Sequence, residues 1–283
     1  MTTIDAGLRE SVIALAADAG RAIIPWQSQH IEVMLKDDAS PLTQADLAAH
    51  RLIATTLRRL TPDLPVLSEE SAQIPWDKRR TWTTYWLVDP LDGTREFVKR
   101  STAFCVCIAL IDQGQPIFAV IQSPCDGITW HAVKGGNAYR RDGAHETLLR
   151  VVQPARAPLR VATSASHRCQ QLDTLLARMA PITAQSFGSA LKFCLISQGL
   201  IDVYPRFGPT SEWDTAAGQC LLESAGGALL SLKKGERLSY NQRPTLLNGA
   251  FIALGDPQLP WRTWLEPASN GSNQDAHDAT RQG

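Results

Sequence analysis

Two aspartates lie on either side of a proline at the end of an apolar segment, in the run Trp86-Leu87-Val88-Asp89-Pro90-Leu91-Asp92-Gly93-Thr94. An apolar strand that ends in a carboxylate and is followed by an Asp-Gly turn can direct Asp89 and Asp92 at one point. Oxygen ligands of this kind suit a hard cation such as Mg²⁺. The backbone N–H groups of Gly93 and Thr94 could hold a phosphate at a helix start, and the Thr94 hydroxyl could orient a water molecule. The alternative is an ordinary Asp-Gly turn after a strand.

Three further acids lie at the edges of other predicted elements. Glu69 follows a short apolar run, and its alternative is a solvated acidic loop. Asp46 and Asp214 each stand at the start of a predicted helix, where the alternative is a capping role. Together with the first pair, these acids belong to four elements, and gathering them would cause like-charge repulsion unless cations were bound. Two divalent cations held by carboxylates are an arrangement used for displacement at phosphorus.

These motifs resemble the signatures of the inositol monophosphatase superfamily, whose members are Mg²⁺-dependent, lithium-sensitive phosphatases. The resemblance rests on Glu69-Glu70, the run 89–94 and Trp213-Asp214, and it extends from about residue 4 to about residue 255. It implies an α+β fold, a layered α-β-α-β-α sandwich. Within the superfamily, residues 40–46 and Arg95-Glu96-Phe97 are similar to the 3'(2'),5'-bisphosphate nucleotidases. The segments 188–194 and 204–210 look like those of the bacterial CysQ type.

The resemblance implies two Mg²⁺ ions and a set of ligands for them. One ion would be held by Glu69, Asp89 and the Leu91 carbonyl, and the other by Asp89, Asp92 and Asp214. A third, weaker ion beside Asp46 is left open.

The resemblance also implies the catalytic residues and the phosphate site. The residues around the attacking water would be Asp46, Thr94 and Glu69. The scissile phosphate would be bound by Gly93 and Thr94.

The substrate contacts that the resemblance implies are His167, Ser189, Lys192 and Arg206. A bisphosphate carries a second phosphate that the metals do not neutralise, and Lys192 and Arg206 could pair with it through charge-assisted hydrogen bonds. The alternative for Lys192 is an exposed helix lysine, that for Arg206 is a loop arginine, and that for His167 is a solvated loop histidine. Departures from the family pattern, which leave the base and phosphate preference open, occur at Ala103, Ala165 and Ala190.

Apolar spacing predicts the elements that must position these residues. Helices are predicted for 4–24, ending before Pro25, and for 44–60. Strands are predicted for 64–67 and 84–89 and, as a meander, for 103–111, 116–122 and 127–133. Beyond about residue 155 the predicted pattern is strand 159–163, helices 168–179 and 189–198, strand 200–204, helix 213–225 and strand 228–231.

The change of pattern near residue 155 predicts two domains and a tail. Residues 1–155 are expected to form an α+β domain with an antiparallel sheet and most metal ligands. Residues 156–265 are expected to form an α/β domain that carries Asp214 and the substrate contacts. Residues 266–283 contain no Val, Ile, Leu, Met, Phe or Trp and are predicted to be a disordered polar tail.

Composition limits the classes of partner. The chain has 283 residues, with 28 Lys and Arg against 28 Asp and Glu, so a polymeric nucleic acid is not an expected partner. Its six cysteines are scattered and include no Cys-x-x-Cys pair, which argues against a disulfide framework, and the lack of clustered Cys/His spacing argues against a zinc site. Cys105 and Cys107 are interpreted as one face of a strand. Without a visible signal peptide or membrane span, a cytoplasmic protein is expected. Peripheral association with the cytoplasmic face of the inner membrane, and the oligomeric state, are left open.

The resulting functional hypothesis is a Mg²⁺-dependent phosphatase that removes the 3'-phosphate of adenosine 3',5'-bisphosphate. The reaction would serve sulfur assimilation or nucleotide recycling. Whether the corresponding 5'-phosphosulfate is also a substrate is left open. The enzymatic alternative is an inositol monophosphatase or a related sugar-phosphate phosphatase. A non-catalytic nucleotide or metal sensor is the alternative of a different class.

Overall fold

The computed structural model describes residues 4–29, 33–35, 41–164 and 169–266. Helices and sheets alternate in five layers, and three apolar cores lie between them. The predicted α-β-α-β-α sandwich is therefore confirmed. Within the described residues the helices are α1 (Ala6–Gln27), α2 (Gln44–Leu60), α3 (Trp76–Arg79), α4 (Thr94–Val98), α5 (Gln170–Met179), α6 (Leu191–Ser197) and α7 (Ala216–Ser224).

The strands of the described chain form a short ribbon and two sheets. The ribbon pairs β1 (Met34–Leu35) with β2 (Pro41–Leu42). The larger sheet runs in chain order through β3 (Val66–Ser68), β4 (Thr84–Asp92), β5 (Cys105–Asp112), β6 (Gln115–Gln122), β7 (Thr129–Val133), β8 (Ala138–Asp142) and β9 (His145–Leu148). The smaller sheet has the order β11-β10-β12-β14-β13 and contains β10 (Leu159–Ser164), β11 (Ile182–Phe187), β12 (Val203–Arg206), β13 (Ala228–Ser231) and β14 (Phe251–Leu254).

The first helical layer packs α1 and α2 on one face of the larger sheet. Asp5 caps α1 by accepting a hydrogen bond from the Leu8 amide at 2.8 Å. The prediction that α1 ends before Pro25 is wrong, because the helix continues to Gln27. Proline in the last turn removes one hydrogen bond to the carbonyl of residue 21, and Arg21 is exposed to water that can replace it. The predicted helix 44–60 is confirmed as α2.

The strand that carries the aspartates is longer than predicted. β4 was expected to end at Asp89, but it continues to Asp92. Its pairing with β5 shifts register between these residues: Asp89 lies opposite Cys107 and Asp92 lies opposite Cys105. Pro90 has no N–H for the ladder, which favours an irregularity here. The extra residue brings Asp92 onto the same face of the sheet as Asp89.

The middle layer consists of α6 and α7, which lie between the two sheets. Their apolar side chains share one core with the second face of the larger sheet and with the inner face of the smaller sheet. The outer face of the smaller sheet packs against α5 and two buried tryptophans, Trp261 and Trp264.

Strands β2, β8, β9, β11 and β14 were not predicted. β9 and β11 are largely exposed and polar, so they lack the apolar alternation on which the prediction relied.

The strands of the larger sheet all precede residue 155, and those of the smaller sheet all follow it. The division of the chain into two domains at this residue stays a prediction. The tail predicted for 266–283 lies outside the described residues except for Glu266. Among the described helices, none combines the length and the apolar composition that a membrane crossing requires.

Candidate active site

A cavity of about 360 Å³ opens where the end of β4, the start of α6 and the end of β12 meet. Residues from before and after residue 155 line it, and those after residue 155 include members of the 3-10 turn Glu212–Asp214. The predicted site residues that line this cavity are Glu69, Asp89, Leu91, Asp92, Gly93, Thr94, Ser189, Lys192, Arg206 and Asp214. His167 lies outside the described residues, so its predicted contact with the nucleotide stays a prediction.

Three carboxylates converge on one side of the cavity. Oxygen atoms of Asp89, Asp92 and Asp214 lie within 4.8 Å of one another. Burial raises the pKa of Asp89 well above its usual value, and repulsion from Glu69, Asp92 and Asp214 raises it further. Burial also raises the pKa of Asp92 to about 6, although Lys192 opposes the rise. A cluster of this kind is costly when ionised unless a cation balances it.

Each carboxylate is held in place by a backbone amide. Asp89 Oδ1 accepts a hydrogen bond from the Leu91 amide at 3.0 Å. Asp92 Oδ2 accepts from the Ala190 amide just before α6. Asp214 Oδ2 accepts from the Ser211 amide at 2.8 Å, as part of a capping box. Asp214 thus caps its turn and also lines the cavity.

Asp46 does not line the cavity but connects to it through Thr94. Asp46 Oδ2 accepts from the Thr43 amide at 2.8 Å and from the Thr43 hydroxyl at 2.6 Å, which completes the capping box of α2. The Thr94 hydroxyl lies 3.1 Å from Asp46 Oδ1 and 3.2 Å from the Leu91 carbonyl. Because the Thr94 proton has an acceptor behind it, the lone pairs of Thr94 Oγ1 can receive a proton from a ligand in the cavity.

The turn after β4 depends on a glycine. Gly93 adopts a φ of +98° at the start of α4. A Cβ there would lie 3.0 Å from the Ala103 carbonyl and 3.2 Å from Phe104 Cα, both of which are backbone atoms. The position therefore excludes a side chain for two reasons, the left-handed backbone and the close approach.

We expect Gly93→Ala to lower both stability and activity. The left-handed φ and the backbone contact together should cost about 2–4 kcal/mol of unfolding free energy, measured by urea denaturation. Gly135→Ala is the matched control, because Gly135 has a φ of +76° but no atom within 4 Å of the added Cβ. Equal losses in the two variants would show that the contact with residues 103 and 104 is not important.

The cavity lining also includes two buried cations, Lys192 and Arg206. Lys192 is 4% exposed, and its ammonium donates to the carbonyls of Phe187 and Ser189 and lies 5.0 Å from the Tyr204 ring centroid. Burial lowers the pKa of Lys192 to about 8, and the charge of Asp92 opposes this. Lys192 therefore orders the turn before α6 and faces the acidic cluster.

Arg206 organises the loop that follows β12. Its Nε donates to the Gly208 carbonyl at 3.3 Å, and its Nη2 donates to the Pro209 carbonyl at 3.0 Å. A guanidinium has five N–H donors, so this side chain can bind the loop and an anion at once. Ser189 stands nearby with a φ of +50° and accepts a 3.4 Å hydrogen bond from the Leu191 amide.

Sequence reasoning missed part of the lining. Ser164, Tyr204 and Trp213 also line the cavity. Ser164 stands three residues before His167 and Tyr204 begins the segment 204–210, so the resemblance, rather than their strand patterns, signals a site there. Trp213 adjoins Asp214 in the motif itself, where a lining role could have been inferred.

Comparison with known proteins gives a consistent relationship. A family model described as the inositol monophosphatase family matches residues 6–259. A 3'(2'),5'-bisphosphate nucleotidase CysQ of Escherichia coli (strain K12) is 43% identical over 244 residues, which cover 86% of this chain and 97% of the relative. The protein of the same name from Haemophilus influenzae is 34% identical over 265 residues, covering 93% and 98%.

Solved structures agree with these relatives. A CysQ from Bacteroides thetaiotaomicron superposes with a TM-score of 0.77 at 35% identity and covers 88% of this chain and 97% of that one. The extragenic suppressor protein suhB from Bartonella henselae gives a TM-score of 0.78 at 26% identity, with 93% and 100% covered. With the sandwich and the acidic cavity already described, these matches show that the chain belongs to the inositol monophosphatase family.

Proposed function

We propose that the chain is a Mg²⁺-dependent phosphatase that removes the 3'-phosphate of adenosine 3',5'-bisphosphate to give AMP. The observation that carries the proposal is a cavity lined both by the clustered carboxylates of Asp89, Asp92 and Asp214 and by the cations Lys192 and Arg206. The relatives named 3'(2'),5'-bisphosphate nucleotidase support the choice of substrate.

The residues at the acidic side fit Mg²⁺. Their donors are carboxylate oxygens, gathered within 4.8 Å. Burial first, and then repulsion among the carboxylates, raises the pKa values of Asp89 and Asp214, and a hard divalent cation would offset both effects. We propose Glu69, Asp89, Asp92, Asp214 and the Leu91 carbonyl as ligands of two ions. Bound Mg²⁺ would supply Lewis-acid stabilisation of charge on the reacting oxygens.

The chain's own groups would bind and orient the reactants. The Thr94 hydroxyl, which donates to Asp46, would accept a hydrogen bond from the attacking water, and Glu69 lines the same cavity. The Gly93–Thr94 backbone would hold the scissile phosphate. The charge of Arg206 would meet the second phosphate of the substrate.

Product analysis tests this proposal directly. Incubating the protein with adenosine 3',5'-bisphosphate and Mg²⁺ should release one phosphate and leave AMP, which chromatography separates from adenosine 3'-phosphate. Adenosine 3'-phosphate as the product, or no release at all, would contradict the proposal.

We expect Arg206→Gln to weaken recognition of the second phosphate selectively. Losing a charge-assisted contact should raise KM for adenosine 3',5'-bisphosphate about 10- to 100-fold, while kcat/KM for adenosine 3'-phosphate changes less than about threefold. Arg156→Gln, at an exposed position, is the control, and Arg206→Lys tests charge without the planar donors. Equal losses on both substrates would show that Arg206 only maintains its loop.

We expect Asp92→Asn to stabilise the metal-free protein at pH 7. The folded pKa of Asp92, about 6, lies above its unfolded value, so ionisation opposes folding increasingly as pH rises through the range from about 4 to 6. With a chelator present, removing that charge should raise the free energy of unfolding at pH 7 by on the order of 1–3 kcal/mol. The same variant should lose much of the stabilisation that Mg²⁺ gives to the unmodified chain.

Thermal unfolding with chelator and with Mg²⁺ measures both effects. Asp63→Asn, at an exposed position, should change neither. A metal-free Asp92→Asn protein that is less stable than the unmodified chain at pH 7 would contradict the charge argument.

An inositol or sugar phosphatase remains the second candidate, because the Lys192 ammonium is bonded to two backbone carbonyls. If Lys192 has only this ordering role, one of the two cations assigned to the second phosphate is lost.

A further inference from the structure

Two thiols lie directly behind the acidic side of the cavity. Cys105 and Cys107 occupy alternate positions of β5 and point to the face that carries Asp89 and Asp92. The two sulfur atoms are 3.8 Å apart, and Cys105 Sγ is 3.8 Å from Asp92 Oδ2. Asp92, Cys105 and Cys107 thus present one oxygen and two sulfur atoms to a common point.

These distances match a tetrahedral site for a soft divalent cation. Two thiolates that each lie about 2.3 Å from a Zn²⁺ ion stand roughly 3.8 Å apart in a tetrahedron, and a carboxylate oxygen on the same ion stands roughly 3.5 Å from each sulfur. The sulfur–sulfur distance already fits such a site, and the ligand atoms of Asp92, Cys105 and Cys107 all lie within 4.8 Å of one another. Sulfur ligands favour Zn²⁺ and Cd²⁺ over Mg²⁺, which prefers oxygen.

We propose that Asp92, Cys105 and Cys107 form a second cation site, specific for thiophilic divalent ions, that shares Asp92 with the Mg²⁺ centre. Each thiol would lose its proton to solvent as the sulfur–metal bond forms. The two sites would compete for Asp92, so Zn²⁺ or Cd²⁺ would act as an inhibitor. Only this inhibitory consequence rests on the proposed function, since the site itself follows from the geometry.

The two thiols are buried, at 0% and 1% exposure, and Asp92 separates them from the cavity. A cation would therefore enter through the cavity and pass Asp92. The sequence argues against a zinc site because it lacks clustered Cys/His spacing. The proposed site departs from this expectation, because its third ligand comes from the neighbouring strand.

Cadmium binding tests the site without reference to activity. After chelator treatment, the full chain titrated with Cd²⁺ should bind one ion with sulfur-to-cadmium charge-transfer absorption, and X-ray absorption should count two sulfur ligands. Cys107→Ser should weaken this binding at least about tenfold. Cys220→Ser is the control, because Cys220 is equally buried and its thiol bonds to the Ala132 carbonyl instead.

Two results would overturn the proposal: one sulfur ligand or none in the unmodified chain, or equal affinities for Cys107→Ser and Cys220→Ser. The sulfur count needs no variant, so it decides the matter even if Cys107→Ser does not fold. In Mg²⁺-dependent phosphate release, half-inhibition should need at least about tenfold more Cd²⁺ in Cys107→Ser. If the protein released no phosphate at all, the absorption result would still test the cation site separately from the proposed function.

Discussion

Replacing Asp89 with asparagine should lower kcat for phosphate release at least about 1,000-fold, equivalent to about 4 kcal/mol. Asp89 is 2% exposed and is repelled by the charges of Glu69, Asp92 and Asp214. Asparagine keeps the size and can still accept the 3.0 Å hydrogen bond from the Leu91 amide, so the fold should survive. Only the negative charge at the centre of the cluster is lost.

Asp256→Asn is the matched control for this variant. Asp256 is also buried, at 6% exposure, and it accepts a hydrogen bond from the Ala155 amide far from the cavity. Its replacement should leave kcat within a few-fold of the unmodified enzyme. If Asp89→Asn retained comparable activity, a carboxylate-held metal centre at this position would be excluded.

The largest effect on stability is expected at Arg79, outside the cavity. This side chain is 3% exposed and donates to Asn241 Oδ1 at 2.7 Å and to the carbonyls of Arg243 and Pro244. The side-chain Nδ2 of Asn241 donates a 2.6 Å hydrogen bond to the Arg79 carbonyl, and the backbone N–H of Asn241 donates to Glu212 Oε2 at 2.7 Å. The network thus ties α3 to the turn that carries Asp214.

Arg79→Met should cost about 3–5 kcal/mol of unfolding free energy, because several buried acceptors lose their donor together. Urea denaturation with two probes measures this, and Lys78→Met, at the exposed neighbouring position, should change it by less than about 0.5 kcal/mol. A loss below about 1 kcal/mol would show that the network contributes little.

The fold and most of the cavity lining could be predicted because the apolar spacing of the helices and strands and the carboxylate motif at the end of β4 indicate the same fold. The α2 boundaries follow from apolar spacing and a capping pair, and the carboxylates follow from the motif. For Asp46 and Asp214 the capping alternative is confirmed, while their roles beside the water and the metal stay predictions. Each carboxylate has two oxygens, and Asp46 uses one as a cap and the other for Thr94.

The rest depends on register, which sequence does not give. A pairing shift between Asp89 and Asp92 decides that Asp92 meets Cys105, and no local pattern encodes that contact. Likewise, the hydrogen bonds that Lys192 donates to two carbonyls before α6 could not be read from the sequence, and its contact with a phosphate stays a prediction. Such contacts appear only after the two sheets are packed together.

The most direct test of the central claim is the ratio of kcat/KM for adenosine 3',5'-bisphosphate to that for inositol 1-phosphate, both measured with Mg²⁺ and with a chelator. We expect a ratio of at least about 100, since a lost charge-assisted contact alone is worth about 1.5–3 kcal/mol, and no turnover of either substrate with the chelator. A ratio below one with Mg²⁺ would keep the metal centre but contradict a nucleotide substrate. Turnover that persists with the chelator would contradict the metal centre itself.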